Sequence, residues 1–249
     1  MNHIKLKPIR ASLFSIAAFA LAMNAKAGMV TIDNPSFEEP VTNPGDFTTV
    51  LSGTQNHWAV YNTGNTNSSR QFGAWNPTGT DTFVDGEAPD GVNVGVVFLL
   101  NTTNLAEAGL LQTLGDTLQL NTTYTLTVEV GNFADDNPSD SFNFAGFPGY
   151  RIDLMTANNP TPLASDNNTL TPAEGIFETS IVSFTTGSSH SDVGEALVIR
   201  LVNLNGTGIE VNFDDVRLDA TPVPEPSTAA LLFGVVGLIC AGLRRNRTS

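Results

Sequence analysis

Apolar residues recur at every second position along five separate stretches of this 249-residue chain. Such alternation places the apolar side chains on one face of an extended strand, and it is typical of half-buried β-strands. Segments rich in Asn, Pro, Gly and Asp lie between the stretches and favour tight turns. The alternating stretches are Val92–Phe98, Tyr124–Val130, Tyr150–Leu154, Leu197–Leu201 and Ile209–Phe213.

This pattern predicts one all-β domain with about eight to ten strands in two sheets, a β-sandwich of jelly-roll or related type. Only Asn104–Leu118 has a pattern that suits a short helix. Strand composition alone does not separate an immunoglobulin-like sandwich from a jelly roll.

The N-terminus has the three parts of a signal peptide. Lys5, Lys7 and Arg10 precede the apolar run Leu13–Met23, and Ala25-Lys26-Ala27 has the small-x-small pattern of a cleavage site. We therefore expect residues 1–27 to be removed on export. The alternative is a retained N-terminal anchor, which would normally need a longer apolar run than these 11 residues.

The C-terminus contains a second apolar run, Thr228–Leu243, of 16 uncharged residues. As a helix it would measure ~24 Å, which spans a bilayer core only marginally. The alternative, a buried helix of a soluble domain, would normally have a polar face. The run therefore predicts a single transmembrane helix at 228–243, and the arginines that follow predict that residues 244–249 are cytoplasmic.

A polar motif precedes this run and completes a specific arrangement. Pro224-Glu225-Pro226, the apolar run and the arginines Arg244, Arg245 and Arg247 follow one another in order. The tail resembles the PEP-CTERM sorting signal of Gram-negative bacteria. The resemblance implies recognition by an exosortase, a membrane transpeptidase, with transient anchoring in the membrane and then transfer to the cell surface or the extracellular polysaccharide matrix. Residues 221–227 would be the linker between this anchor and a domain at 28–220.

The predicted domain is strongly acidic. Between Gly28 and Ala220 the sequence has no lysine, and four arginines stand against 24 carboxylates, a net charge near −20. Nucleic acids and anionic lipids are bound mainly through Lys and Arg, so neither is an expected partner of the domain. Divalent cations are compatible with such a surface, although acidity can equally serve solubility alone.

Both ends of the domain carry a second resemblance. Ile32-Asp33-Asn34-Pro35-Ser36-Phe37-Glu38 is similar to the opening strand of galactose-binding-like jelly rolls, which include several families of carbohydrate-binding modules. The segment from Val211 to Leu218 is similar to their closing strand. In those modules a structural Ca²⁺ commonly joins a Glu of the first strand to an Asp of the last, which implies Glu38 and Asp214 here.

The closing segment also predicts a β-bulge. Val211 and Phe213 share one parity, whereas Val216 and Leu218 have the other. One extra residue at Asp214-Asp215 would return all four side chains to the same face. A carboxylate re-aimed there could face a cation, but Ca²⁺ takes six to eight oxygen ligands. By sequence, Asp85, Glu87 and Asp90 are the nearest additional donors. The alternative is a solvated acidic pair.

Aromatic residues in polar surroundings suggest carbohydrate binding. Trp58, Tyr61 and Trp75 lie among Asn, Gln and Arg residues, and Phe142, Phe144 and Phe147 lie in the loop before Tyr150. Sugars offer apolar CH faces and hydroxyl groups together, which such side chains can contact. The alternative is that the tryptophans are packing residues, as large aromatics of β-sandwiches usually are.

The sequence lacks the motifs of common hydrolases: there is no Gly-x-Ser-x-Gly and no His-Glu-x-x-His. We therefore expect a non-catalytic, exported surface or matrix protein whose sandwich is stabilised by Ca²⁺ and binds glycans. The alternative is a structural or adhesive matrix protein without sugar specificity. A glycan-active hydrolase is the third reading, because such enzymes need only two suitably spaced carboxylates.

Overall fold

The computed structural model describes residues 28–49, 57–64, 70–84, 86–100, 106–135 and 142–223. These residues form twelve β-strands and no helix. The strands are β1 (Gly28–Val30), β2 (Phe47–Thr49), β3 (Ala59–Asn62), β4 (Gln71–Trp75), β5 (Val94–Phe98), β6 (Ala108–Thr117), β7 (Thr122–Asn132), β8 (Tyr150–Thr156), β9 (Asn159–Asn167), β10 (Ile176–Thr185), β11 (Ala196–Asn203) and β12 (Glu210–Pro222).

The strands form two antiparallel sheets. The larger has the order β10-β7-β12-β5-β4-β2, with β1 also paired to β12, and the smaller has the order β3-β6-β11-β8-β9. The predicted two-sheet all-β sandwich is thus confirmed. Long strands such as β7 and β10 lie antiparallel over ten residue pairs, Ile176↔Asn132 to Thr185↔Thr123.

The main core lies between the two sheets. Alternate residues of β7, from Tyr124 to Val130, are 0–1% exposed, which follows from the period-two pattern of the sequence. The apolar residues of β8 and β11 that face them are buried in the same cluster.

The predicted bulge in the closing strand is present. The register of β12 against β7 shifts between Asp214 and Arg217, and Asp215 has a φ of 48°. As a result Phe213 and Val216, which have opposite parity in the sequence, are both buried. Asp214 itself is fully buried.

The expectation of a short helix is wrong. Asn104–Leu118 does not hold a helix: its described residues include β6, which pairs with β3 on one side and β11 on the other. Cross-strand pairing on both edges outweighs the local preference of this leucine-rich segment. In addition, β12 continues through Pro222, paired with Thr122, so the folded domain extends two residues into the predicted linker.

The predicted signal peptide and the predicted membrane helix lie outside the described residues, as do Pro224, Glu225, Pro226, Arg244, Arg245 and Arg247. Within the described part of the chain, no helix has the length and apolar character needed to cross a bilayer.

Candidate active site

Part of the outer face of the larger sheet, over β4 and β5, is apolar as well as the inner face. All five residues of β5 are buried: Val97 packs into the main core, whereas Val96 and Phe98 belong to a second, smaller cluster. Because successive side chains of a strand point to opposite faces, Val96 and Phe98 lie on the outer face. The register places Gln71 of β4 and Glu210 of β12 on either side of Phe98.

Aromatic side chains from neighbouring segments cover this face. Phe133 follows β7, and Phe144 comes from the segment before β8; their rings stack at 4.4 Å. Trp75 packs against Phe133 at 5.2 Å, and Phe142 meets Phe98 edge-on at 5.2 Å. Together they enclose a cavity of about 200 Å³ lined by Phe47, Gln71, Trp75, Val96, Phe98, Phe133, Phe142, Phe144 and Glu210.

A second group of rings extends the aromatic layer beside the cavity. Phe83 packs against Trp75 at 6.1 Å and against Phe177 at 4.5 Å. The Phe177 ring lies over Gly131, where a Cβ would come within 2.5 Å of it. Glycine at this position therefore makes room for the ring, and the layer closes the outer face of β7.

Glu210 is the one ionisable residue of the described cavity lining. It is 7% exposed, and its Oε1 accepts a hydrogen bond from Asn212 Nδ2 at 3.0 Å. Burial raises the pKa of Glu210 to about 7, because an apolar environment disfavours the anion, and the Asn212 hydrogen bond offsets part of this rise. The cavity thus contains a carboxylic acid that retains its proton up to near-neutral pH.

This chemistry suits proton transfer to an apolar molecule. A neutral carboxylic acid can donate a proton, and its conjugate base can take one back. Aromatic faces attract cations through their negative quadrupole, so the rings would stabilise positive charge that develops on a bound molecule. The arrangement is compatible with acid-catalysed rearrangement in a pocket lined mainly by apolar side chains.

The three predicted sugar-contacting aromatics do not come together. Trp58 is 3% exposed and stacks on Phe37 at 5.4 Å, and its indole N–H donates to the Asn34 carbonyl. Tyr61 belongs to the smaller sheet, where Arg200 covers its ring at 4.4 Å. Trp75 alone lines the cavity. Trp58 therefore offers no open ring face to a sugar, and Arg200 covers one face of the Tyr61 ring.

The two predicted Ca²⁺ ligands both hold the loop before β5. Glu38 Oε1 accepts the backbone N–H groups of Val92 and Asn93 at 2.8 and 2.7 Å. Asp214 Oδ2 accepts the N–H of Asp90 at 2.8 Å. Asp85 lies outside the described residues, and the described residues contain no group of three or more His, Cys, Asp or Glu arranged for a metal ion.

The carboxyl of Asp214 is nevertheless fully buried, which is unusual for an acid. Burial raises the pKa of its carboxyl to about 8, amide hydrogen bonds from Asp90 and Asp215 lower it, and the charges of the Asp90 and Asp215 carboxylates raise it further. The Asp214 carboxyl lies beside the carboxylates of Asp90 and Asp215, and carboxylate oxygens are donors that Ca²⁺ takes; Glu38 and Asp214 would be its side-chain ligands, with backbone or water oxygens completing the shell.

Glu210 was not among the predicted site residues, although the sequence contains a signal for it. Val94–Leu100 is apolar at nearly every position, which indicates a strand buried on both faces. An acid on a strand paired with such a run is expected to face an apolar environment. The sequence does not show that β12 pairs with β5.

Comparison with known proteins identifies the domain. The profile of the HpiC1-like family, described as HpiC1 cyclase, matches residues 28–219. This chain belongs to the HpiC1-like cyclase family. A crystal structure of an apo-form cyclase from Fischerella sp. is 35% identical over 80% of this chain and 98% of its own, with a TM-score of 0.70. The Stig cyclase Fisc from Fischerella sp. TAU, crystallised with (3Z)-3-(1-methyl-2-pyrrolidinylidene)-3H-indole, is 35% identical over 80% of this chain and all of its own, also with a TM-score of 0.70.

Two further comparisons bear on the sequence predictions. The PEP-CTERM sorting motif is matched at residues 222–247, which confirms that prediction and indicates export. A family-4 carbohydrate-binding module is also found, as the resemblance predicted, but at 16% identity and a TM-score of 0.43 this likeness is too distant to bear on function. No curated protein sequence matches this HpiC1-like chain.

The expectation of a non-catalytic domain is wrong, because members of this family are cyclases. Sequence motifs of nucleophiles and metal ligands do not reveal such a site. An acid in an aromatic pocket has no short sequence signature, since its parts come from β2, β4, β5, β12 and the connection between β7 and β8.

Proposed function

We propose that this protein is an exported cyclase that uses Glu210 as a general acid on an apolar substrate containing an aromatic ring and a carbon–carbon double bond. The observation that carries the proposal is the position of Glu210: a buried carboxyl of raised pKa that lines a cavity otherwise built mainly from aromatic and aliphatic side chains.

The ligands of related cyclases support an indole-like substrate. One Fischerella cyclase was crystallised with 4-(1H-indol-3-yl)butan-2-one, and Fisc with another indole derivative. Phe98, Trp75 and Phe133 could contact a flat ring of this size through stacked or edge-on geometries. A small cavity with few polar groups selects for shape and apolar character.

The proposed reaction is an isomerisation, so substrate and product have the same atoms and no co-reactant is needed. Glu210 transfers its proton to one carbon of the double bond, and the bond's π electrons form the new C–H bond. A second π bond of the substrate attacks the resulting cation and closes a ring through a new C–C bond. Loss of a proton from the ring-closed cation to the Glu210 carboxylate restores the acid and gives a product of unchanged mass.

An alkenyl indole tests this proposal directly. The purified domain, residues 28–223, is incubated with 3-alkenyl indoles, and products are separated by chromatography and analysed by mass spectrometry and NMR. We expect a product of unchanged mass that has lost olefinic signals. Glu210→Gln should lower its formation by at least about 100-fold, the usual scale of general acid catalysis.

Glu129→Gln is the matched control, because Glu129 lies on the same sheet but hydrogen-bonds to Thr179 outside the cavity. It should keep wild-type turnover. Calorimetry with 4-(1H-indol-3-yl)butan-2-one should detect binding by the wild type and by Glu210→Gln. Absence of both binding and turnover across the indole panel, in a folded protein, would overturn the proposal.

For the site of action, we propose that exosortase processing transfers this cyclase to the cell surface or the polysaccharide matrix. The sorting motif at residues 222–247 supports it. Contact with extracellular polysaccharide would then follow from location. Fractionation of cells with and without the exosortase, followed by immunodetection of the domain, tests this: an unchanged distribution would contradict it.

We also propose a structural Ca²⁺ at Glu38 and Asp214, supported by the position of both carboxyls against the loop before β5 and by the neighbouring carboxylates of Asp90 and Asp215. When bound, the ion would supply charge neutralisation there. Adding Ca²⁺ at 100 times its dissociation constant should stabilise the domain by about 2.7 kcal/mol, and Glu38→Ala should remove the effect. No calcium heat in calorimetry, with no change in thermal unfolding, would contradict the proposal.

A further inference from the structure

Asn212 lies directly beside the proposed acid but outside the cavity. It is two residues after Glu210 on β12, so both side chains lie on the outer face of the larger sheet. Asn212 is fully buried. The register places Val96 on one side of it and Gly131 on the other, and the ring of Phe177 lies over Gly131.

The amide of Asn212 has a defined orientation. Its Nδ2 donates to Glu210 Oε1 at 3.0 Å and to the Gly95 carbonyl at 3.4 Å. The opposite orientation would place Oδ1 against the Gly95 carbonyl oxygen, and two acceptors would then repel each other. Nδ2 therefore faces Glu210, because the two oxygens next to it, Glu210 Oε1 and the Gly95 carbonyl, both accept its hydrogen bonds.

The other end of this amide is unsatisfied. Among the described residues, Asn212 Oδ1 is buried without a hydrogen-bond partner. A buried acceptor without a partner destabilises the fold, so an apolar side chain would serve this position better if packing were its only task. The polar group at this place therefore points to a role for its N–H in the site.

We infer that Asn212 is a positioning residue for the proposed cyclase acid: its N–H occupies Oε1 and so keeps the transferable proton of Glu210 on Oε2. The inference rests on the proposed function of Glu210. A neutral carboxyl has one hydroxyl and one carbonyl oxygen, and an N–H donor pairs with the carbonyl oxygen. After proton transfer, the same N–H stabilises the carboxylate, because hydrogen bonds to charged acceptors are stronger than those to neutral ones.

No other titratable group shares the described cavity lining. The side chains that face Glu210 there come from β2, β4 and β5 and from the segments around Phe133 and Phe144; Gln71 is the one polar member and all others are aromatic or aliphatic. On β12 itself, Asn212 is the adjacent polar side chain on that face. Asp214, two residues beyond Asn212 on β12, also has a raised pKa, of about 8, so the effect of removing the Asn212 donor must be observed on a signal that belongs to Glu210 alone.

The test is a direct titration of Glu210. The domain, residues 28–223, is labelled with glutamate carrying carbon-13 at the carboxyl, and the Glu210 signal is assigned from its loss in Glu210→Gln. In Asn212→Leu, which keeps a side chain of similar size but removes the donor, we expect the titration midpoint of Glu210 to rise by about one pH unit or more. Turnover of a 3-alkenyl indole should fall at least about tenfold in kcat with little change in KM.

Asn132→Leu is the matched control. Asn132 is also buried, donates Nδ2 to a backbone carbonyl, that of Pro172, and has an unpartnered Oδ1 among the described residues. This variant should change thermal stability but leave the Glu210 titration in place. An Asn212→Leu protein that is folded and titrates Glu210 like the wild type would overturn the inference.

Different results would contradict the proposed function of Glu210 and the positioning role of Asn212. If wild-type Glu210 titrates in the ordinary range of an exposed glutamate, the proposed function fails first. If wild-type Glu210 has its raised midpoint and Asn212→Leu leaves it unchanged, only the positioning role fails. Should Asn212→Leu not fold, Asn212→Ser, a smaller change that also removes the amide donor, is titrated in the same way and judged by the same criterion.

Discussion

At the scale of single residues, the decisive feature is a carboxyl group kept away from water. Glu210 is 7% exposed and lies among aromatic side chains. Burial of this kind penalises the anion and leaves the neutral acid favoured, as the pKa of about 7 expresses. The same burial that makes Glu210 an effective proton donor therefore also makes it a source of instability once it ionises.

This coupling predicts a specific pH dependence. The folded-state pKa of Glu210, about 7, lies above its usual value of 4.5, so the folded state binds more protons than the unfolded state between these values. The free energy of unfolding should therefore fall as pH rises from about 4.5 to about 7, by on the order of 3 kcal/mol from this residue. Urea unfolding of wild type and Glu210→Gln at a series of pH values measures it.

The comparison between the two proteins isolates Glu210, because other titrating groups, including Asp214, are shared. The stability difference between wild type and variant should change across this interval and be constant above about pH 8. A difference that stays the same from pH 4 to pH 9 would show that Glu210 is not shifted.

At the scale of elements, one strand, β12, carries both the proposed acid Glu210 and the buried carboxyl of Asp214. β12 begins with Glu210 in the cavity and continues through a bulge that re-aims Asp214 and returns Val216 and Leu218 to the core. Asp215, with a φ of 48°, absorbs the extra residue. Without this extra residue, the apolar side chains in the C-terminal half of β12 would point to the outer face of the sheet instead of the core.

Deletion of Asp215 tests this role of the bulge. It should expose Val216 and Leu218 or force a register shift, with a loss of about 3–6 kcal/mol in the free energy of unfolding, measured by urea denaturation. Asp215→Gly is the control: it keeps the backbone conformation at little cost. It loses the partly exposed ion pair with Arg217, worth about 1 kcal/mol or less, and removes a like charge beside Asp214. A deletion as stable as the glycine variant would refute the bulge's role.

At the scale of the whole molecule, the sorting motif follows closely on the folded domain. β12 is paired through Pro222, and the Pro-Glu-Pro motif starts at Pro224. The first strand pairs beside it, with Gly28 opposite Ala220. The residue after the predicted signal-peptide cleavage site and the end of the domain that leads to the anchor therefore meet in the same sheet.

This arrangement predicts that sorting and folding are separable. Glu225→Ala, or deletion of residues 244–247, should prevent delivery to the cell surface without changing the unfolding temperature of the domain, because both changes lie beyond Pro222, where the last strand ends. Cell fractionation and thermal unfolding of the released domain measure the two effects. Glu178→Ala, a substitution within the domain, should leave sorting intact; surface delivery of both tail variants would rule out the sorting role.

Local sequence patterns determined some features of this protein, and tertiary structure determined the others. Period-two alternation, the parity change at Asp214-Asp215 and the tail motif are properties of neighbouring residues, so the sequence by itself determined the all-β sandwich, the bulge and the PEP-CTERM signal. It did not determine that Ala108–Thr117 is a strand, because that depends on the two strands that pair with it. Nor did it determine the site. Glu210, Trp75, Phe98 and Phe144 are up to about 135 positions apart in the sequence. Only the pairing of β12 with β5, and the packing of the connection between β7 and β8 over them, brings an acid and its aromatic cover into one cavity.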